Sequence, residues 1–298
     1  MKLIDYVRAA RARLDQAGVS FGQGTTCAFD EAAWMVLWKL GLPLDDLDGV
    51  AQRPLSADEQ RALDTLVEER IRGRRPTAYL TGEAWLQGVA FTVDERTIIP
   101  RSLIAEVLAE GLIDPWLPDP TRSVLDLCTG NGSLAVLAAM AWPEVTVDAA
   151  DISADTLAVA ALNVQRHGLQ DRIRLHLGDG LQAVRGRGAA PRYDLVLCNP
   201  PYVSAAAMAA LPPEFQAEPK VALDGGADGM DFIRILLAGI LEVLSPNGVL
   251  VLEIGHERAH FDAAFPRLEA VVLPTRMEDD GVVLLTGEAL GALAGGRP

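Results

Sequence analysis

The spacing of hydrophobic residues differs between the first hundred residues and the rest of the chain. In the first part, apolar side chains recur at helical intervals, and this pattern predicts helices over residues 3–17, 30–40 and 56 to about 72. Ser56 can cap the third helix, because Glu59 stands at the position that completes a capping box. A β-hairpin is expected over residues 83–93, where Gln87 and Gly88 separate two short apolar runs. The pattern therefore predicts a small helical unit that carries a hairpin.

After the proline-rich stretch at residues 115–120, short apolar runs alternate with helical segments. The apolar runs predict strands over residues 124–127, 146–150, 173–177, 193–198, 249–254, 271–273 and 282–285. Helical spacing predicts helices over residues 133–141, 154–167 and 228–244. This alternation favours an α/β fold in which helices cover both faces of a mostly parallel sheet. The small residues at 291–298 predict a disordered tail.

Composition supports a large folded core and narrows the classes of partner. The chain has 298 residues and is 50% hydrophobic, which suggests one large domain and a smaller one. Asp and Glu outnumber Lys and Arg by 41 to 26, which gives a net charge of −15. Tight binding to phosphate backbones needs clustered cations, so no direct nucleic-acid specificity is expected.

The positions of the cysteines, the histidines and the apolar runs argue against a disulfide-stabilised, a metal-binding or a membrane protein. Cys27, Cys128 and Cys198 are too far apart for a disulfide framework or a metal motif, which indicates a reducing compartment. The histidines are scattered and form no ligand cluster, so no metal is expected. The chain has no apolar run of membrane-spanning length, and its amino terminus lacks the features of a secretory signal, so no membrane partner is expected.

The sequence Asn-Pro-Pro-Tyr at residues 199–202 carries the most specific chemical information. It follows a predicted strand, and ligands of open α/β sheets bind at the carboxyl ends of strands. The Asn199 side-chain oxygen and the Pro200 carbonyl can accept the two hydrogens of a planar NH2 group, over which Tyr202 can pack. A purely structural reading is a proline-stiffened loop. The predicted catalytic residues are Asn199, Pro200 and Tyr202, and the predicted substrate-binding residues are these three and Pro201.

A glycine-containing loop follows the predicted strand at residues 124–127. Gly130 and Gly132 allow a sharp turn and the close approach of a ligand at the start of a helix. The same spacing fits the loose dinucleotide pattern. The loop alone therefore leaves a nicotinamide cofactor and S-adenosylmethionine open.

Aspartates at successive strand ends favour S-adenosylmethionine. Asp126 precedes the loop, where an acid suits a positive amino or sulfonium group but repels a pyrophosphate. Asp151 can accept both ribose hydroxyls, and Asp179 can accept from an adenine amino group. Each aspartate alone could be a loop or cap residue, but their combination with Asn199 predicts methylation of an NH2 group. The predicted cofactor-binding residues are Asp126, Thr129, Gly130, Gly132, Asp151, Ile152, Asp179 and Asn199.

Several further stretches accompany these motifs. They are Phe-Gly-Gln-Gly-Thr (21–25), Asp-Glu-Ala (30–32), Ala-Tyr-Leu-Thr (78–81), Val-Asp-Glu-Arg (93–96), Ile-Pro-Arg-Ser (99–102), Asp-Leu-Cys-Thr-Gly (126–130), Leu-Pro-Pro-Glu-Phe (211–215), Glu-Pro (218–219) and Leu-Asp-Gly-Gly (223–226). With them the chain resembles the protein-(glutamine-N) methyltransferases over nearly its full length. It is most similar to the group that acts on large-subunit ribosomal protein L-three. The release-factor group usually has Pro-Arg-Pro-Glu-Thr and Gly-Thr-Gly-Ser-Gly in place of this chain's Pro-Arg-Ser and Cys-Thr-Gly-Asn-Gly.

The resemblance implies a seven-stranded Rossmann-like methyltransferase domain at residues 99–290, after a helical substrate-recognition domain with a hairpin at residues 1–98. It also implies transfer of a methyl group from S-adenosylmethionine to the N5 amide of a glutamine in protein L-three, free or in an assembly particle, in the cytoplasm. The chain departs from the usual signature at three places. Gln23 replaces a His, Thr26 and Cys27 replace an Asp-Asn pair, and Asn131 replaces a Ser.

Four other functions remain open at this point. A release-factor glutamine methyltransferase and a DNA or RNA amino-methyltransferase share the Asn-Pro-Pro-Tyr chemistry, since adenine and cytosine carry the same planar NH2 group. The acidic charge weighs against the nucleic-acid enzymes. A non-catalytic assembly factor that binds protein L-three would not need intact Asp151 and Asn199. A nicotinamide dehydrogenase would need a proton donor near the site, and none is evident.

Overall fold

The computed structural model describes residues 1–185, 192–276 and 279–295, and within them it has one seven-stranded sheet and one hairpin. The strands are β1 (Glu83–Leu86), β2 (Val89–Thr92), β3 (Ser123–Leu127), β4 (Thr146–Asp151), β5 (Ile173–Leu177), β6 (Tyr193–Cys198), β7 (Leu244–Glu253), β8 (Val271–Val272) and β9 (Val282–Thr286). The α-helices are α1 (Leu3–Ala17), α2 (Ala28–Lys39), α3 (Leu47–Val50), α4 (Ala57–Gly73), α5 (Thr77–Thr81), α6 (Ile104–Ala109), α7 (Ser133–Ala141), α8 (Ala154–Arg166), α9 (Ala205–Ala210), α10 (Pro213–Gln216), α11 (Asp231–Gly239), α12 (Arg258–Ala264) and α13 (Gly287–Gly295). In the described part of the chain, no helix combines the length and apolar character that a membrane span requires.

The large sheet has the strand order β5-β4-β3-β6-β7-β9-β8. Strands β3 to β7 are parallel, whereas β9 pairs with β7 and with β8 in the antiparallel sense. The chain moves outward from β3 through β4 to β5, and it then returns to the other side of β3 at β6. The strand order therefore reverses between β3 and β6, which opens a crevice beyond the carboxyl ends of these two strands.

Helices cover both faces of the sheet, and β6 illustrates why its residues form a buried strand. Successive side chains of a strand point to opposite faces. Leu195 and Leu197 pack in the apolar layer under α7 and α8, and Val196 and Cys198 pack in the layer under α11 and α12. Because both faces are covered, the strand is a continuous apolar run rather than an alternating one. The predicted α/β class and seven-stranded sheet are confirmed.

Helices α1, α2 and α4 pack around a separate apolar core at the amino terminus. The predicted capping box begins α4. The Ser56 hydroxyl accepts from the Glu59 N–H at 3.2 Å, and the Glu59 carboxylate accepts from the Ser56 N–H at 2.8 Å. These bonds satisfy backbone donors that a helix start leaves without partners. The helical unit expected from the sequence is therefore present.

The predicted hairpin is also present, and it attaches to the large sheet through α8. Strands β1 and β2 pair on either side of Gln87 and Gly88, whose φ angles are 49° and 74°. Phe91 is buried in the apolar layer under α7. Asn163 of α8 accepts from the Thr92 N–H at 2.7 Å and donates to the Thr92 carbonyl at 2.9 Å. The hairpin therefore packs against the domain that contains the large sheet.

The predicted helix over residues 228–244 is wrong at both ends. Helix α11 begins at Asp231, because Gly229 has a φ of +79° that a right-handed helix does not contain. It ends at Gly239, and a short 3-10 turn separates it from Leu244, which already belongs to β7. Glycine is a weak helix former, and here it marks the end of the α-helix.

The predicted disordered tail at residues 291–298 is wrong for its first five residues, because α13 extends to Gly295. The Thr286 hydroxyl accepts from the Ala289 N–H at 3.2 Å at the start of this helix. Leu290 is 2% exposed and anchors the helix in the apolar layer under α11 and α12. Residues 296–298 lie outside the described residues.

Candidate active site

A cavity opens at the carboxyl edge of the sheet, where the strand order reverses. The segments at the ends of β3, β4, β5 and β6 form one side of it, through Cys128, Thr129, Gly130, Asp151, Ile152, Gly178, Asp179, Gly180, Asn199 and Pro201. Residues 96–102 form the facing side, together with Pro219, Val221 and Ala222. Parallel strands bring residues that are far apart in sequence to one edge, which is why four loops share a single cavity.

The loop after β3 is built around Asp126, whose side chain is only 1% exposed. One carboxylate oxygen, Oδ2, accepts from the Thr129 hydroxyl and from the Ala135 N–H at 3.0 Å. The other oxygen, Oδ1, has no partner within the described residues. Burial raises the pKa of Asp126 to about 7. Asp126 therefore fixes the loop against the start of α7 from behind the cavity wall.

Two of the N–H groups at the start of α7 already donate to side chains of this loop. Ser133 donates to the Asn131 side-chain oxygen at 3.3 Å, and Ala135 donates to Asp126. A dinucleotide binds its pyrophosphate at such N–H groups and needs them free. The geometry therefore disfavours a nicotinamide dinucleotide and fits a cofactor without a pyrophosphate.

Asp151 stands where β4 ends and is held by two backbone donors. Its Oδ2 accepts from the Gly130 N–H and its Oδ1 accepts from the Ser153 N–H, each at 3.0 Å. Each oxygen keeps a second lone pair for a ligand hydroxyl. Burial raises the pKa of this carboxyl group. A side chain at Gly130, whose φ is +58°, would project toward Ile98 on the facing wall at 3.5 Å, so glycine keeps the cavity open.

The end of β6 presents two acceptors that have no partner in the described part of the chain. Asn199 lines the cavity, and within the described residues its side-chain oxygen accepts no hydrogen bond. The carbonyl of Pro200 likewise accepts none there, although Pro200 itself is buried. Pro201 lines the cavity next to Asn199. An unpaired amide oxygen at a cavity wall is available to a donor on a bound ligand.

Tyr202 is held by a buried glutamate at the end of β7. Its hydroxyl donates to Glu253 Oε1 at 3.0 Å. The other oxygen of Glu253 accepts from the Ser102 hydroxyl and, at 2.9 Å, from the Leu103 N–H. Burial raises the pKa of Glu253. The ring of Tyr202 lies so near Gly255 that a Cβ there would come within 2.5 Å of it. Glu253 therefore ties the loop after β6 to the segment before α6.

Sequence reasoning missed Glu253, although it left a signal. An acid follows a run of apolar residues in β7, beside the strand that Asn199 follows. Reasoning also missed the ion pair between Arg101 and Glu218, in which the guanidinium donates to both carboxylate oxygens at 2.6 and 2.8 Å. No spacing rule predicts this pair, because the two residues are 117 positions apart.

The structure divides the predicted site residues into two groups. Those that line the cavity are Thr129, Gly130, Asp151, Ile152, Asp179, Asn199 and Pro201. Those found outside its lining are Asp126, Gly132, Pro200 and Tyr202. Asp126 and Tyr202 instead support the loops from behind, and a direct contact of either with a ligand stays a prediction.

Comparison with known proteins supplies the family. The model of the Methyltransferase small domain matches residues 105–227. A protein from Bordetella pertussis called "Ribosomal protein uL3 glutamine methyltransferase" is 52% identical to this chain, and the match covers 97% of this chain and 96% of the relative. A protein of the same name from Burkholderia pseudomallei is 49% identical, and the match covers 98% of this chain and 96% of the relative. The chain belongs to this family. That membership confirms the resemblance drawn from the motifs, and with the domain match it confirms S-adenosylmethionine as the cofactor.

The fold is shared more widely than the family. The crystal structure of the hMettl16 catalytic domain, in complex with MAT2A 3'UTR hairpin 6, superposes with a TM-score of 0.51. It covers 78% of this chain and 81% of the hMettl16 chain, but only 14% of the residues are identical. At that identity the similarity shows a common methyltransferase fold and no more.

Proposed function

We propose that this protein transfers the methyl group of S-adenosylmethionine to the N5 amide nitrogen of a glutamine in ribosomal protein uL3, in the cytoplasm. Here uL3 is the L-three protein that the motifs imply. The relatives from Bordetella pertussis and Burkholderia pseudomallei carry this activity in their names and match nearly the whole chain. The observation that carries the chemistry is Asn199 at the cavity wall, whose side-chain oxygen has no partner among the residues that the structure describes.

The residues of the cavity fit the cofactor. Asp151 has free lone pairs for two ribose hydroxyls, and Asp179 follows the neighbouring strand. Gly130 leaves open the space toward Ile98. When bound, S-adenosylmethionine supplies a methyl group on a positively charged sulfur. The side chain of Ile152 is 53% exposed and lies beside Asp151, where it can cover one face of the ligand.

Orientation is the main contribution of the protein to the reaction. An amide nitrogen is a weak nucleophile, because its lone pair is delocalised into the carbonyl group. Asn199 and Pro200 would accept the two N–H bonds of the glutamine and hold its nitrogen in line with the methyl group. Alignment of this kind can supply about 7–11 kcal/mol of barrier reduction. The same acceptors favour the positive charge that grows on the nitrogen.

We also infer that two parts of the chain have different functions. Residues 1–98 would recognise the protein substrate, and residues 99–290 would carry the cofactor and the chemistry. The separate apolar core of α1, α2 and α4 supports this division. The hairpin is an exception, because its contacts with α8 join it to the sheet.

The test is methyl transfer to purified uL3, with duplex DNA and a release factor offered in parallel. We expect labelled methyl on a glutamine of uL3 from the wild-type protein. Asn199→Ala should keep cofactor binding and lose most turnover, since it removes an acceptor for the N–H groups of the glutamine. Label on DNA or the release factor, but not on uL3, would overturn the proposal. Equal loss of cofactor binding and turnover in Asn199→Ala would make Asn199 a structural residue.

A further inference from the structure

Four of the sequence stretches that carry the resemblance have no role in the chemistry above. Two lie near α2 in the amino-terminal helical unit, at residues 21–25 and 30–32, and two follow the Asn-Pro-Pro-Tyr loop, at residues 211–215 and 218–219. The structure brings them together around Glu214 of α10, whose side chain is fully buried. A buried carboxylate outside the cavity lining requires a reason.

The charge of Glu214 is balanced by cations of the amino-terminal unit. Its Oε1 accepts from Arg74 at 3.0 Å and from Arg70 at 3.3 Å. Arg70 is itself buried, and it donates to Glu31 at 2.6 Å and to the Ser20 carbonyl at 2.8 Å. A buried carboxylate is stable only with such partners. Glu214 is therefore anchored to α4 and, through Arg70, to α2.

The backbone of α10 is held at the same point. Gln23 is buried, and its side-chain amide donates to the Glu214 carbonyl at 3.3 Å. The ring of Phe215 lies against Gly22, where a Cβ would come within 3.2 Å of it. Gly22 has a φ of +115°, which a residue with a side chain rarely adopts. The amino-terminal stretch thus fits closely onto α10.

The far end of this segment reaches the active site. Glu218 is buried, and besides Arg101 it accepts from the Ile99 N–H at 2.9 Å. Pro219, Val221 and Ala222 follow directly and line the same cavity as Asn199 and Asp179. A short segment, held at Glu214 and again at Glu218, therefore links the anchor to one wall of the cavity.

We propose that Glu214 is a positioning residue, which holds the wall at residues 219–222 in place by anchoring α10 to the amino-terminal helices. This inference rests on the proposed function, because the wall would seat the glutamine of the protein substrate. Loss of the anchor lets the wall move and misaligns the glutamine with the methyl group. The ribose-holding side of the cavity, at Asp151 and Gly130, belongs to other strands and keeps its geometry.

The experiment compares Glu214→Gln with the wild type and with Glu69→Gln, an exposed glutamate on α4. We measure the cofactor dissociation constant and stoichiometry by calorimetry, and kcat and KM with uL3. Glu214→Gln should lower kcat about ten- to a hundredfold, because small misplacements of reacting groups have large effects. Cofactor stoichiometry should be unchanged. The cofactor dissociation constant should change by less than about twofold, because Glu214 and the ribose-holding residues are independent sites. Glu69→Gln should behave as the wild type.

Two milder variants keep the test decisive if Glu214→Gln folds poorly. Gln23→Leu removes the donor to the Glu214 carbonyl. Like Glu214→Gln, it should lower kcat. Gln23→His restores a ring N–H donor and should recover most of that loss. Arg74→Gln combined with Glu214→Gln should cost less than the sum of the two single changes, since both act through one contact.

Amide hydrogen exchange gives a readout that does not depend on the substrate. Exchange at residues 216–223 should rise in Glu214→Gln, while exchange in β3 and β4 should stay as in the wild type. Unchanged exchange at 216–223, or an unchanged kcat, would overturn the positioning role. A parallel fall in kcat and cofactor stoichiometry in both Glu214→Gln and Gln23→Leu would also overturn it, because both changes would then act through general unfolding. A wild-type protein that leaves uL3 unmethylated would instead refute the proposed function, with the exchange result still deciding the role of Glu214.

Discussion

The ionisation of Asp126 should make the stability of this protein fall as pH rises from about 4 to about 7. Asp126 is buried beneath the glycine loop, and burial raises its pKa from 3.8 to about 7. The Thr129 hydroxyl and the Ala135 N–H act in the opposite direction, since both favour the charged form. The folded protein therefore binds a proton at this site that the unfolded chain has already released.

The sign and size of the effect follow from this difference in proton binding. Stability falls with pH wherever the folded state holds more protons than the unfolded state. For Asp126 that window runs from about pH 4 to about pH 7, between the two pKa values. Between pH 5 and pH 8 the single carboxyl group should cost about 2.5 kcal/mol of unfolding free energy.

Urea unfolding across this pH range measures the effect directly. Asp126→Asn cannot ionise, so the difference in unfolding free energy between wild type and variant should change by that amount from pH 5 to pH 8. Thr129→Val removes the hydroxyl that favours the charged form, and it should move the inflection to higher pH. A difference between wild type and Asp126→Asn that stays constant across the range would refute the reasoning.

Two further substitutions test the supports of the site. Gly255→Ala places a Cβ within 2.5 Å of the Tyr202 ring, at a residue whose φ is +49°. The substitution should lower the free energy of thermal unfolding by about 2–4 kcal/mol, and it should also lower kcat. Wild-type turnover in that variant would show that the position of Tyr202 is unimportant. Asn163→Ala removes a fully buried amide that is hydrogen-bonded to the N–H and carbonyl of Thr92 and to the carbonyl of Asn131. The substitution should lower the free energy of urea unfolding by about 2–4 kcal/mol. A loss below about 0.5 kcal/mol, the usual limit of a surface change, would contradict the role of Asn163 in fixing the hairpin.

Regular periodicity explains why much of the fold was predictable. The run at residues 193–198 is apolar on both faces because helices cover both sides of β6, and strand and helix alternation then implies a parallel sheet. Loop residues at the ends of consecutive strands must meet at one edge of such a sheet. For that reason the amino-acid sequence alone could assign Gly130, Asp151, Asp179 and Asn199 to one site.

The missed features depend on contacts that periodicity does not encode. The segment at residues 228–230 looked helical, but a glycine at positive φ delays the start of α11. Glu214 and Arg70 meet across 144 positions, and nothing local to either predicts the contact. The sequence predicts a ligand contact for Asp126 from its charge and from its place before the glycine loop. Its burial and its bond to α7 appear only once the loop is folded.

The mass of uL3 from living cells tests the central claim most directly. Intact uL3 should be heavier by one methyl group in cells that carry this gene than in cells that lack it, with the added mass on a glutamine side chain. Returning the wild-type gene should restore the heavier form, and returning Asn199→Ala should not. Identical uL3 masses with and without the gene, or a methyl group on a residue other than glutamine, would contradict the account.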